Sequence, residues 1–219
     1  MNEETQNKST AEQLQEAERR FVALGNAVEH LFADSVVALL ECSEETVGEL
    51  QQEDYKAHEL WLQTDRLCQE VLSDGELEAS EAHLLLGLVR MAADLKRTAD
   101  ESLRIGQTLR AGQMHCIMEA DPTGCLARMI ELVQSMHGDV LEAFINRDEA
   151  EASALHLVFG ELASLGEQVS DELPGHMEEE RVSARLALAL VQVGQRLERI
   201  ADEILDVANN VAHLSRQTV

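Results

Sequence analysis

The stretch LALALVQVGQRLERIADEILDVANNVAHL, residues 186–214, decides the fold. Within it Leu186, Leu190, Val193, Leu197, Ile200, Ile204, Val207, Val211 and Leu214 follow one another three or four positions apart, and all are apolar. That spacing returns each side chain to one stripe of an α-helix, and so long a stripe needs neighbouring helices to cover it. Beside this seam Ala187, Gly194, Ala201 and Ala208 recur every seven residues. Side chains this small let a packed helix approach closely.

The same periodicity predicts five more helices. The first carries Leu14, Ala17, Phe21, Leu24, Val28, Leu31, Ser35, Ala38 and Cys42, with Ser9 and Glu12 as a capping box at its start. A second runs from about Glu44 to Leu72 and stops at Ser73, Asp74 and Gly75. The third spans Leu77 to Met118, with Leu84, Leu88, Met91, Leu95, Thr98, Ser102, Ile105 and Leu109 as its seam. Asp121 and Pro122 then signal a helix start, a carboxylate cap followed by Pro at the first helical position. Leu126, Met129, Val133, Met136, Val140 and Ala143 make the fourth seam, which breaks near Asn146. Asn146 to Glu149 is the expected cap of a fifth helix, ended at Leu173 by Pro174 and Gly175.

Three helices followed by three suggest duplication, and the sequence carries it. Ala93 to Glu101, ADLKRTADE, matches Gln195 to Glu203, QRLERIADE; Asp34 to Ala38, DSVVA, matches Asp139 to Ala143, DVLEA. The expected fold is all-α, two tandem pseudo-repeated three-helix bundles with six long helices. The first bundle covers residues 11–120 and the second 121–215, between a disordered tail at 1–10 and a short one at 216–219.

Composition agrees and excludes some functions. Seventeen Lys and Arg against 42 Asp and Glu give a net charge of −25, which repels phosphate backbones and anionic lipid. Neither nucleic acid nor direct membrane insertion is expected. One Trp, one Tyr, four Phe, two Pro and 12 Gly fit aliphatic helix packing better than many short strands. Cys42, Cys68, Cys116 and Cys125 show no CxxC spacing, which points to a reducing compartment. The polar opening MNEETQNKST has no signal-peptide core, and no run reaches about 18 apolar residues without a charge. The expectation is a soluble intracellular chain that meets membranes only through partner proteins. Met114, Met118, Met129 and Met136 read as gap-filling core around the boundary between halves.

Enzymatic patterns are missing. No histidine has a Glu three positions before it, as a ferritin-like di-iron bundle requires, and there is no HExxH, phosphate-cradling Gly loop or GxSxG. Carboxylates are the remaining chemistry. Glu198 and Asp202 stand four apart on one helix face, off the apolar seam, with Asp206 and Asn209 a turn later. Oxygen donors so spaced suit a divalent or ferric ion; the alternative is a solvated acidic face with Arg196 and Arg199 as local counterions. The first half carries Lys96, Asp100 and Arg104 at the matching positions, expected to neutralise one another. Asp54 and His58, also four apart, make a carboxylate–imidazole pair able to bind a transition metal, or an ordinary charged helix face.

The duplicated motif, LERIADE at Leu197 to Glu203 and LKRTADE at Leu95 to Glu101, resembles the PhoU family of phosphate-signalling regulators, as does AFINRD at Ala143 to Asp148. The resemblance spans roughly Ala11 to Leu214. It implies a non-enzymatic cytoplasmic regulator, often a homodimer, connecting a phosphate ABC transporter to a sensor histidine kinase and restraining the phosphate-starvation response. It also implies iron, zinc or another metal on outer bundle faces through E/D-x-x-x-D pairs. Glu198 and Asp202 match that pair in the last helix, and Asp100 matches only its second acid, because Lys96 replaces the first. Asp54 matches one acid of the second helix, with His58 where another acid is usual. Around Phe159 to Ala163 only Glu161 is acidic, so neither half keeps a full ligand set. Three alternatives stand beside this reading: a metal-binding helical protein, an accessory of a low-affinity phosphate permease, and a bare coiled-coil scaffold.

Overall fold

A computed structural model describes residues 9–41, 44–74, 77–108 and 121–217. Six α-helices make up the described chain: α1 Thr10–Glu41, α2 Glu44–Asp74, α3 Ala79–Gln107, α4 Cys125–Asn146, α5 Glu149–Glu178 and α6 Ala184–Gln217. The expected two tandem three-helix bundles are present. Helices α1, α2 and α3 pack on one another; α4, α5 and α6 do the same. The halves join through α3 against α6 and α1 against α4, which leaves α2 and α5 as the outermost helices.

Burial follows the seams. Leu186 packs at the edge of the core, while Leu190, Val193, Leu197, Ile200, Ile204, Val207, Val211 and Leu214 of α6 are buried in a hydrophobic core continuous with that of the first bundle. Phe21 of α1 meets Phe144 of α4 edge-on, with ring centroids 4.7 Å apart. Helix α1 is long and apolar enough by composition to cross a membrane, but its apolar stripe is spent on this core. Met129 and Met136 are fully buried; Met114, Met118, Leu109, Cys42, Cys116 and Gly75 lie outside the described residues, as do 1–8 of the expected tail. Cys68 and Cys125 are free and buried, and burial pushes the Cys68 thiol up to about 11, an inert structural cysteine.

Helix ends depart from the local signals at α4 and α5. The Ser9 and Glu12 box forms as expected, with Ser9 N donating to Glu12 Oε2 at 2.9 Å and Glu12 N to Ser9 Oγ at 3.4 Å. Asp121 and Pro122 do not begin α4. Pro122 lies in the turn before it, and the helix starts at Cys125 after Gly124, whose φ of +69° suits a residue without Cβ. Asp121 still caps it from outside, accepting from Thr123 N at 3.1 Å and Leu126 N at 3.1 Å. Replacing Asp121 by Ala should therefore cost about 1 kcal/mol in urea denaturation, the usual size of a lost helix cap.

Within the expected stretch Asn146 to Glu149, the residue that caps α5 is Asp148. Its side chain accepts from Ala150 N and Glu151 N at 2.8 and 3.0 Å, after Arg147 turns the chain with a φ of 55°. Helix α5 also runs through Pro174 and Gly175 to Glu178, instead of ending at Leu173. The proline removes one helical N–H, and the carbonyl thereby freed is that of exposed Ser170, where water can take its place. Helix α3 closes at Gln107, and its expected extension to Met118 lies outside the described residues. Helix α6 reaches Gln217, held by Arg216 Nε on Glu149 at 2.5 Å.

Candidate functional site: the charged faces of α3 and α6

Because α3 and α6 repeat one motif and pack together, their charged residues meet in reciprocal pairs. Arg97 of α3 donates to Glu203 of α6 at 2.7 Å, and Arg199 of α6 lies 3.7 Å from Glu101 of α3. Positions 97 and 199 are equivalent in the repeat, as are 101 and 203, so the seam has an internal twofold relation. Its two ends carry opposite charge. Glu101, nearly buried, is held by Arg104 at 2.5 Å and Arg196 at 2.8 Å as well as Arg199. At the other end Arg97 also binds Asp94, beside Glu203 and Asp206, the one group of three converging carboxylates among the described residues.

Neither cluster was expected from helix faces read one at a time. Arg196 and Arg199 reach across to Glu101 rather than serving as local counterions of Glu198 and Asp202, and Arg104 pairs with Glu101 one turn before it on α3 rather than with Asp100. The signal that finds them is the repeat alignment, which puts an Arg and a Glu at matching positions of two seams that must pack. Burial, opposed by Arg97 and reinforced by Glu203 and Asp206, pushes the Asp94 carboxyl up to about 6. A carboxyl whose folded pKa exceeds its unfolded value destabilises at high pH, and that cost disappears as pH falls from above 6 towards 4. Asp94→Asn should thus stabilise the fold at pH 8 by about 2 kcal/mol and have little effect at pH 4, read from urea midpoints.

The metal-ligand candidates divide between the halves. In the first, Lys96 Nζ lies between Asp100 at 2.5 Å and Asp54 at 3.2 Å, with its side chain 14% exposed. Its ammonium supplies the cation these two carboxylates face, so a metal ion does not fit beside it. His58 joins neither acid there; its ring tilts against Trp61 at a centroid distance of 5.4 Å.

In the second half Glu198 lies over the backbone of α5, so near Gly166 that a Cβ there would stand 1.6 Å from its Oε1. A larger residue there would make the flexible Glu198 carboxylate swing aside. Burial first, then the charges of Asp202 and Glu167, raise the Glu198 pKa; burial, then Asp206, raises that of Asp202. Beside Glu198 opens a cleft of about 460 Å³ between α5 and α6, lined in part by Glu167, Asp171, Val169 and Val191. The donors here are all oxygen and repel one another, a set that fits a hard divalent or ferric ion. Glu161 takes no part, being paired with Arg128 of α4 at 3.0 Å. Asp100 and Asp202 line a separate groove of about 310 Å³ along the α3–α6 seam.

Comparison with known proteins places this arrangement. The model of the PhoU domain matches twice, over residues 21–109 and 126–211. The chain is 26% identical over 208 residues to the phosphate-specific transport system accessory protein PhoU homolog of Pseudomonas putida, covering 94% of this chain and 80% of that protein. The homolog of the same name in Pseudomonas aeruginosa is 25% identical, over 94% of this chain and 85% of its own. The crystal structure of PhoU from Pseudomonas aeruginosa superposes with a TM-score of 0.83 at 22% identity, covering 94% of this chain and 99% of that one. That of the phosphate transport system regulatory protein PhoU from Streptococcus pneumoniae gives 0.82 at 20% identity, covering 94% and 96%. These structures share the six-helix fold, and the two domain matches fall one on each bundle: the chain belongs to the PhoU family.

Proposed function

We propose that this chain is a non-enzymatic cytoplasmic regulator of phosphate transport, an adaptor between a phosphate ABC transporter and a sensor histidine kinase. The observation that carries this reading is the pair of tandem PhoU domain matches, with relatives named as accessory proteins of phosphate-specific transport. An adaptor works by presenting surfaces, and among the described residues α2 and α5 each pack on only two other helices. Deleting the gene and measuring phosphate uptake and phosphate-responsive transcription tests the proposal. Derepression at high phosphate that depends on the kinase is the expected result; unchanged values at high and low phosphate would sink it.

A second property has its own support. Glu198 and Asp202, on one face of α6 beside the cleft, would hold a single hard cation in the second bundle, which would favour their charged forms against the burial, and the added charges of Asp202 on Glu198 and of Asp206 on Asp202, that raise their pKa values. Iron is the better fit of the two expected metals, because zinc prefers nitrogen and sulfur donors. In elemental analysis, protein purified with iron should carry about one ion per chain, lost in a Glu198→Ala, Asp202→Ala variant. Equal metal in both would refute the site.

A further inference from the structure

We infer that Lys96 is a built-in counter-cation, a tethered ammonium that fixes α2 to α3 whatever the metal supply and confines the response to metal to the second bundle. The part about the second bundle rests on the Glu198 and Asp202 reading; the part about Lys96 does not. In the aligned repeat Lys96 falls where α6 has Glu198, and Asp100 where it has Asp202. One position thus carries opposite charge in the two halves.

In the first bundle the ammonium meets carboxylates from two helices. Lys96 Nζ donates to Asp100 Oδ1, one turn further along α3, at 2.5 Å, and to Asp54 Oδ1 of α2 at 3.2 Å. Its side chain is 14% exposed, so the methylene stem is largely covered and brings the charge to the line where α2 meets α3. Among the described residues neither acid pairs with any other Lys or Arg. A hard cation placed between carboxylates of neighbouring helices would offset their repulsion and tie the helices together. Lys96 does both with a covalently attached charge that no chelator removes, and its three N–H donors are enough for the two acids.

The second bundle lacks this device. Glu198 and Asp202 take no Lys or Arg partner among the described residues, since Arg196 and Arg199 are turned to Glu101. The charges acting on them are acidic: Asp202 and Glu167 on Glu198, and Asp206 on Asp202. A free cation has a place in this half, whereas Lys96 already fills the corresponding place in the other.

The two halves can be tested apart. Glu198→Ala and Asp202→Ala are first placed in the full chain, so that an ion found there is not held by the α6 pair. Manganese(II) is the probe, because its free aqueous form gives a magnetic-resonance signal that is lost on binding. In this background the Lys96 protein should bind manganese no better than its Asp54→Asn derivative. Lys96→Glu, which gathers three carboxylates, should add about one ion per chain, bound on the order of tenfold tighter, and lose it with Asp54→Asn. Lys96→Gln removes the charge without adding another; it should show the same Asp54-dependent ion more weakly, and it carries the test if Lys96→Glu does not fold. Asp54-dependent binding to the Lys96 protein overturns the inference, as does the lack of any Asp54-dependent ion in the folded Lys96 variants. In the wild-type chain, amide exchange along α2 should be identical with iron(II) and with chelator, and with chelator it should be faster in Lys96→Gln. Exchange in α2 that follows metal in the wild type, or that is unchanged in Lys96→Gln, refutes the built-in cation. Exchange in α5 and α6 that ignores metal refutes the second-bundle cation alone.

Discussion

A Phe21→Ala variant is expected to unfold about 3–5 kcal/mol more easily than wild type, in one transition. Phe21 is fully buried, and its ring meets Phe144 across the line where α1 of the first bundle crosses α4 of the second. Neighbouring groups hold α1 and α4 close and leave the cavity little room to collapse. A Cβ at Gly25 would stand 2.4 Å from Leu141, and Arg147 at the end of α4 lies over Phe144 at 4.9 Å while binding Glu18 of α1. The cavity term therefore adds to the lost transfer energy. Because the core runs through both bundles, Trp61 fluorescence in α2 and total helicity by circular dichroism should report the same urea midpoint. Two separate midpoints would show that the halves fold as independent units, and a loss below about 1 kcal/mol that the site collapses around the smaller side chain.

His137→Leu should act in the opposite direction. This histidine lies fully buried on α4 near Phe32 of α1, and neither ring nitrogen has a hydrogen-bond partner. Burial lowers its pKa to about 4. An imidazole whose folded pKa lies below its unfolded value of about 6.5 costs nothing from charge above pH 6.5, and takes stability away as pH falls from there towards 4. Leucine of similar volume removes both the unpaired nitrogens and that penalty. The expected gain is about 2 kcal/mol at pH 8, the order of cost of buried unpaired polar atoms, rising to about 4 kcal/mol at pH 5. Urea denaturation of both proteins across this range checks it. A difference that does not grow on acidification would mean that His137 finds water or a partner in solution.

Asp94 and His137 titrate over overlapping ranges with opposite signs, so in the wild type their contributions offset one another. Each single variant uncovers the slope of the other. The Asp94→Asn protein should lose more stability than wild type between pH 6.5 and 4, and the His137→Leu protein should gain on it over the same window.

Much of this was legible in the sequence, because the apolar stripes of α1, α3, α4 and α6 repeat with helical spacing that only helices can bury. The duplication was legible from Leu95 to Glu101 and Leu197 to Glu203. Helix ends were less so. Asp121 carries the capping chemistry, yet a side chain can cap from several residues outside a helix, and only the backbone turn at Gly124 fixes where α4 begins. Pro174 reads as a stop because spacing cannot reveal that Ser170 is exposed. At the candidate site, the spacing placed Glu198 with Asp202 on one helix face and Asp54 with His58 on another. It could not show that Lys96 would lie between Asp54 and Asp100, or that Glu101 would gather three arginines, since such meetings depend on which helices become neighbours.

The opposite charges at the two ends of the α3–α6 seam bear on the history of the chain. Asp94 and Arg196 occupy equivalent positions of the repeat, as do Arg104 and Asp206. Had the repeat once existed as a separate gene whose product paired with itself across this axis, each of those positions would have held a single residue type in both copies. Both ends would then have carried the same net charge. A division of charge between them became available only after fusion released the copies from identity, and it now distinguishes one end of a once symmetric molecule from the other.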